Sequence, residues 1–230
     1  MVVTSATQAE AQNTKALREV WATIDFNSCP YHYNFHMHTT CSDGQLSPIA
    51  LIEQVLKIGL KGLAITDHHS TQGYQIAQER LNDLRLHQPN TLLPHLWTGI
   101  EITSNLLGAE VHILGYGFNP QHPVMNSYLK GVRPLGEDAQ AKTVIDALHQ
   151  AGGLVVLAHP ARYSRSAQEL IPAAAGLGVD GIEAYYAYGN PKPWQPSPKQ
   201  TELVLKLAEV YGVFTTCGTD THGVNLLYRL

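Results

Sequence analysis

Nine side chains able to bind a metal recur along this 230-residue chain, each at or just after the end of a short apolar, strand-like run. His36 and His38 come first, with Asp43 five residues further on in a turn. His68, Glu101, His112 and His159 follow at intervals, and Asp220 and His222 come near the end. Side chains two apart on a strand point to one face, with Cα atoms roughly 7 Å apart. His36 and His38 can therefore share one ion, and Asp220 and His222 repeat the spacing. Imidazole and carboxylate together suit zinc, iron or manganese without selecting among them. A pair of bridged divalent ions turns water into hydroxide near neutral pH, ready to attack phosphorus or a carbonyl.

Ligands scattered over the whole chain cannot make a local zinc finger. They must converge, and parallel strands in a barrel converge at one face. The elements expected between them fit that need. Strands are expected at 33–38, 62–66, 97–103, 109–116, 154–158, 181–184 and 213–217. Helices are expected at 48–58, 74–86, 137–150, 167–175 and 199–211. Ser47 precedes Pro48 as an N-cap before a proline at the first helical position, and Gly152-Gly153 ends another helix. The segment 104–108 reads as a hairpin or short connection. Strands alternating with helices of 10–15 residues mean βαβ units and a parallel sheet. The reading is an α/β protein, a distorted, TIM-like (β/α) barrel of about seven strands, with the ligands at the C-terminal strand ends. In a closed barrel the first and last strands are neighbours, so the two spaced pairs would lie side by side. Residues 1–12 read as a polar tail and 14–23 as a short covering helix. The division is thus 1–30 as tail and helix and 31–230 as one catalytic domain.

The motifs His36-Met37-His38 through Asp43-Gly44, Ile65-Thr66-Asp67-His68, Gly99-Ile100-Glu101, Ala158-His159-Pro160 and Gly218-Thr219-Asp220-Thr221-His222 stand in the order found in the PHP domain superfamily, named for polymerase and histidinol phosphatase. The chain resembles that superfamily of metal-dependent phosphoesterases from about residue 33 to residue 223. The resemblance implies a distorted (β/α)7 barrel with two to three divalent ions. It assigns His36, His38, Glu101 and Asp220 to the first ion. It assigns Glu101, as a bridge, with His112 and His159 to the second, and Asp43, His68 and His222 to the third. Asp67 and His69 are then flanking residues. Three carboxylates do not neutralise three dications, so the site stays positive and attracts a phosphate dianion. Glu101, Asp43 and Arg162 are the expected catalytic residues.

Arg162 follows the His159-Pro160 pair, where related phosphoesterases hold a substrate phosphate with arginine; a guanidinium can grip phosphate with two hydrogen bonds. Of Tyr185 and Tyr186, which point opposite ways on a continuing strand, Tyr185 is the candidate for stacking on a substrate. Glu183 is given no metal. Only 47 positions separate His112 from His159. Relatives acting on nucleoside bisphosphates or RNA ends carry a larger insertion there.

The remaining composition excludes more than it assigns. The formal net charge of −4 gives no basic footprint for bulk nucleic-acid binding, which leaves a small phosphorylated substrate, including a nucleotide or a nucleic-acid end. Cys29, Cys41 and Cys217 are few and far apart, which suits a reducing compartment. Residues 1–15 lack the apolar stretch of a signal peptide, no run approaches a membrane span, and the expected address is cytoplasmic. Other readings at this stage are a multinuclear amide (C–N) hydrolase and a non-catalytic metal-holding module.

Overall fold

The computed structural model describes residues 5–230. Strands and helices alternate from β1 (Tyr33–Asn34) through α3 (Pro48–Ile58), β2 (Gly62–Ala64), α4 (Gln72–His87) and β3 (His95–Trp97). The chain continues with β4 (Gly99–Leu106), β5 (Ala109–Tyr116), α5 (Ala141–Gln150), β6 (Leu154–Leu157), α6 (Ala167–Gly176), β7 (Gly181–Tyr185), α7 (Pro198–Tyr211) and β8 (Phe214–Cys217). Before them stand α1 (Ser5–Ala11) and α2 (Thr14–Trp21).

The expectation of a single closed barrel is corrected. The strands form two sheets, in the orders β1-β2-β3 and β4-β5-β6-β7-β8. They touch through isolated bridges, Met37 with Thr221 at one junction and His68 with Glu101 at the other. The five-stranded sheet opens with the hairpin of β4 and β5. Leu107 and Gly108 both have positive φ, 54° and 77°, as a two-residue turn between twisted strands requires. β5 therefore runs antiparallel to both β4 and β6, and the parallel repeat is broken there. Among the described residues eight strands stand where about seven were expected.

The helices follow their sequence signals. Ser47 Oγ accepts the Ala50 N–H at 3.2 Å, Pro48 opens α3, and Gly59 closes it at φ 83°. The polar tail expected over 1–12 is helical from Ser5, and Thr98 N–H donates to Ala11 O at 3.1 Å; residues 1–4 lie outside the described residues. α2 is the expected cover. Asn13 caps it, and its Leu17 and Trp21 are buried. Trp21 meets Tyr116 edge-on with centroids 5.4 Å apart and lies 6.2 Å from Phe214. It thus seals the end of the sheet where β8 begins. The larger core lies under the five-stranded sheet; a smaller one packs α3 and α4 on the three-stranded sheet.

Candidate metal centre

Beyond β1 the chain stays extended. Phe35 enters the larger core and Met37 the smaller, so alternation leaves His36 and His38 on the remaining face. Phe35 N–H donates to Cys217 O at 3.1 Å, Asp220 N–H to His36 O at 2.8 Å and His38 N–H to Thr221 O at 3.0 Å. These bonds set the His36/His38 pair beside Asp220 and His222, as expected for first and last strands. Gly218 permits the approach, since a Cβ there would overlap that of His36.

Glu101, 1% exposed, stands at the middle. Its Oε2 is 3.1 Å from His36 Nε2, 3.0 Å from His38 Nε2 and 3.5 Å from His68 Nε2. Its Oε1 is 2.8 Å from His112 Nδ1 and 3.5 Å from His159 Nε2. Asp220 Oδ1 lies 3.3 Å from Nε2 of both His36 and His38. Asp43 Oδ2 lies 3.3 Å from His222 Nε2 and 3.7 Å from His68 Nε2. All nine residues picked from the sequence therefore meet in one cluster. His36, His38, Glu101 and Asp220 form a group with ligand atoms within 4.8 Å of one another, and Asp43, His68 and His222 form another that includes His38. The expected second set is looser. Glu101 and His112 group with His68, while His159 groups with His36 and Glu183.

The residues fit divalent ions. Both ring nitrogens of His38 and of His159, Nδ1 of His68 and Oε1 of Glu101 are buried with no hydrogen-bond partner among the described residues. Each such buried orphan costs roughly 1–3 kcal/mol, and a cation bound among them removes that cost. His159 and Asp220 also hold positive φ, 24° and 51°, strained for residues with a Cβ.

A ring of supports orients these groups. Glu183 Oε1 sits 2.9 Å from His36 Nδ1 and Oε2 accepts the His159 N–H at 2.9 Å. Nε2 of a neutral His36 is thereby turned to the cluster. Asp67 accepts Thr39 N–H, Ser42 Oγ–H and Thr39 Oγ–H, each at 2.7 Å, and so holds the turn that carries Asp43. His69 Nε2 lies 3.2 Å from Thr103 Oγ1, away from the ligand groups. Tyr163 Oη accepts the His112 N–H at 2.7 Å.

Protons stand where cations would. Burial opposes charge on His38, but the carboxylates of Asp220 and Glu101, 3.3 and 3.0 Å from its Nε2, prevail and carry its pKa up to about 9. His36 rises likewise against burial, drawn by Glu183, Glu101 and Asp220. At His68 burial wins, with a pKa down to about 4, and burial also lowers His159. Glu101 and Asp220 are held well below the usual carboxylate range, against burial, by the histidines around them.

The PHP domain profile matches residues 34–212. The chain belongs to the PHP family. A 5'-3' exoribonuclease of Haemophilus influenzae is 33% identical over 144 residues, 57% of this chain but 49% of the relative, so the match spans about half of that protein. The 5'-3' exoribonuclease Rnm of Escherichia coli is 25% identical over 261 aligned positions, covering 83% of this chain and 85% of Rnm. That alignment is longer than this PHP chain, so Rnm carries segments absent here, in keeping with the short interval from His112 to His159. A 3',5'-nucleoside bisphosphate phosphatase of Chromobacterium violaceum is 29% identical over 119 residues, 52% of this chain and 39% of the relative. Among solved structures, a Bifidobacterium adolescentis protein provisionally assigned as a metal-dependent phosphoesterase superposes with a TM-score of 0.67. It is 25% identical and covers 84% of this chain and 88% of its own.

Around the PHP cluster the structure corrects one expected contact and adds two residues. Tyr185 is packed in the larger core; Tyr186 faces the cluster, with its ring centroid 5.1 Å from that of His159. The cause is a bulge. Glu183 pairs with Thr216 and Tyr185 with the next residue, Cys217, so β7 takes two steps while β8 takes one and the alternation flips. Arg162 is at the mouth, with Nη1 3.2 Å from Asp220 Oδ2 and 3.3 Å from Tyr186 Oη. Arg229 was not anticipated. Its Nε donates to Asp220 Oδ2 at 2.7 Å. A groove of about 780 Å³ includes in its lining residues that follow two of the clustered histidines in sequence, but none of the nine ligand-type residues. Cys41, Ser70, Gln72, Gln75, Gln121 and Lys130 are among its lining residues.

Proposed function

We propose that this PHP protein is a metal-dependent phosphoesterase that hydrolyses a phosphomonoester, its substrate a nucleotide or the end of a nucleic acid. The observation that carries the reading is the convergence of nine ligand-type side chains, with nitrogens of His38, His68 and His159 and one oxygen of Glu101 buried and without a hydrogen-bond partner among the described residues. His36, His38, Glu101 and Asp220 would hold one ion, Asp43, His68 and His222 another, and Glu101 with His112 and His159 a third. Divalent ions held there supply acidified water and neutralise phosphate charge.

The side chains do the rest by position. Glu101 turns one oxygen to each half of the cluster and ties the halves together. Glu183 and Asp67 hold His36 and the Asp43 turn without entering the ligand groups around Asp43. Arg162, with 43% of its side chain exposed, can turn to a phosphate and donate two parallel hydrogen bonds. The groove that includes Cys41 and Ser70 lies within the size range of small-molecule sites, roughly 300–1,000 Å³, and its glutamines offer hydrogen bonds that suit the sugar and base of a nucleotide. The exoribonuclease and phosphatase names of the relatives support phosphate over amide. They also keep a short single strand within the reading.

The test is direct. Protein prepared without chelator should hold two to three divalent ions per chain by elemental analysis. It should hydrolyse an aryl phosphate, a nucleoside monophosphate or a short 5'-phosphorylated oligonucleotide, and leave an amide panel untouched. A metal-loaded sample that cleaves amides and no phosphoester would overturn the reading.

A further inference from the structure

We propose that Arg229, from the segment after His222, is the positioning residue for Asp220, and that its hold on Asp220 frees Arg162 for the substrate. The inference rests on the phosphoesterase reading. Asp220 divides its oxygens. Oδ1 faces His36 and His38. Oδ2 receives three donors: Tyr186 Oη at 2.7 Å, Arg229 Nε at 2.7 Å and Arg162 Nη1 at 3.2 Å. A carboxylate oxygen held by two short charge-assisted or hydroxyl bonds does not need a third, longer one.

The two arginines differ in burial in the same sense. The side chain of Arg229 is 13% exposed and that of Arg162 is 43% exposed. Arg229 is also fixed through its backbone, whose carbonyl accepts the N–H of His222 at 2.7 Å and of Gly223 at 3.3 Å. The segment itself is anchored to α3, where Gln54 Nε2 donates to Val224 O at 2.9 Å and Gln54 Oε1 accepts the Leu226 N–H at 3.0 Å. One residue thus grips both members of the Asp220-Thr221-His222 pair, by side chain at one and by main chain at the other. It keeps Oδ2 occupied, so Asp220 presents Oδ1 alone to the cluster. Arg162, exposed and loosely bonded, can leave Asp220 without releasing it. Arg229 lies beyond residue 212, where the family match ends.

The experiment compares wild type with Arg229→Ala, Arg229→Lys and Arg162→Ala. Mn²⁺ affinity is read by competition with a chelating dye, and kcat and KM are measured on an aryl phosphate. Loss of a group that orients a ligand lowers metal affinity by roughly 10- to 100-fold. Arg229→Ala should show that loss with a lower kcat and a KM near wild type. Arg229→Lys should recover part of the Mn²⁺ affinity, because it keeps the charge but not the Nε contact. Arg162→Ala should keep its Mn²⁺ affinity and lose about 10- to 150-fold in kcat/KM, mostly through KM. Equal Mn²⁺ affinity in wild type, Arg229→Ala and Arg229→Lys overturns the proposal, as does an Arg162→Ala protein that loses as much metal as Arg229→Ala. Thermal melting of the metal-free proteins separates misfolding from lost positioning; if Arg229→Ala does not fold, Arg229→Lys decides. Should wild type hydrolyse no phosphoester, the parent reading fails, while the Mn²⁺ comparison still tests the role of Arg229.

Discussion

Asp180 and Asp220 stand at opposite ends of the five-stranded sheet, one just before β7 and the other just after β8, and each is held by two basic side chains. Asp180 Oδ1 takes Arg18 at 2.6 Å, while Oδ2 takes His149 and the Val155 N–H, both at 2.9 Å. Both of its oxygens are satisfied, and its network is closed. The side-chain hydrogen bonds of Asp220 go to Oδ2. Its Oδ1 looks into a cluster where His38 and His159 have unpaired nitrogens. The two sites share their chemistry and differ in what is left over. A complete network can only stabilise; an incomplete buried one is expensive unless something else completes it. That distinction separates a structural aspartate from a functional one more sharply than charge or burial does.

The largest effect is expected at the open end. Glu101→Gln removes a charge that faces five histidines at once. Phosphatase activity should fall by roughly 10²-fold or more, on the scale of a lost electrostatic contact in an active site. The fold should persist by circular dichroism. Near-normal turnover would show that Glu101 does not join the two halves of the cluster.

At the closed end the expected effect is smaller and of another kind. Asp180→Ala leaves the Val155 N–H without its side-chain acceptor, and unfolding should become easier by about 1–3 kcal/mol. Metal content and kcat should match wild type. A denaturant titration with parallel metal analysis checks both. Loss of metal in Asp180→Ala would mean that the two ends are coupled, and the contrast drawn above would fail.

The open end was the more legible in the sequence. Metal-binding residue types beside apolar runs carry a signal that survives without knowledge of the sheet: the parallel strands deliver their last residues to one end, while Glu101 and His112 come to it from within β4 and β5. The nine ligand-type residues needed no correct topology to be found, and they converge although the strands form two sheets. What depends on backbone detail was hidden. Tyr185 and Tyr186 exchange faces through a bulge that no residue type announces. Glu183 takes its place between His36 Nδ1 and the His159 N–H, and alternation alone gave it no ligand role. Arg229 lies in a segment without periodicity, so nothing marked it. The hairpin signal at 104–108 was visible, but its consequence, an antiparallel β5 that interrupts the parallel order, follows only from where β6 must sit.

The smallest expected effect is the pH dependence of metal uptake, and it sets the two ends in opposite directions. Without metal, burial works against charge on His38, yet the nearby carboxylates of Asp220 and Glu101 raise its pKa to about 9, and His36 rises too. A histidine raised above its ordinary value of about 6.5 stabilises the metal-free fold fully below that value. The contribution fades as pH climbs through about 9. Asp180 behaves oppositely. Its pKa is depressed, despite burial, by His149, the Val155 N–H and Arg18, so its contribution is present above the ordinary carboxylate range and disappears only in acid. Between pH 6.5 and 9 the Asp180 carboxylate is thus unchanged, while the open end loses its protons. A cation must displace those protons, so metal affinity should rise by about tenfold per pH unit for each proton displaced. The stabilisation that Mn²⁺ adds to the metal-free protein should be greater at pH 8.5 than at pH 6.5. Calorimetric titration in two buffers of different ionisation enthalpy should register proton release on Mn²⁺ binding at pH 7. If Mn²⁺ binds with no proton release and with the same affinity at both pH values, His36 and His38 are not among its ligands, and the open end is not completed by metal.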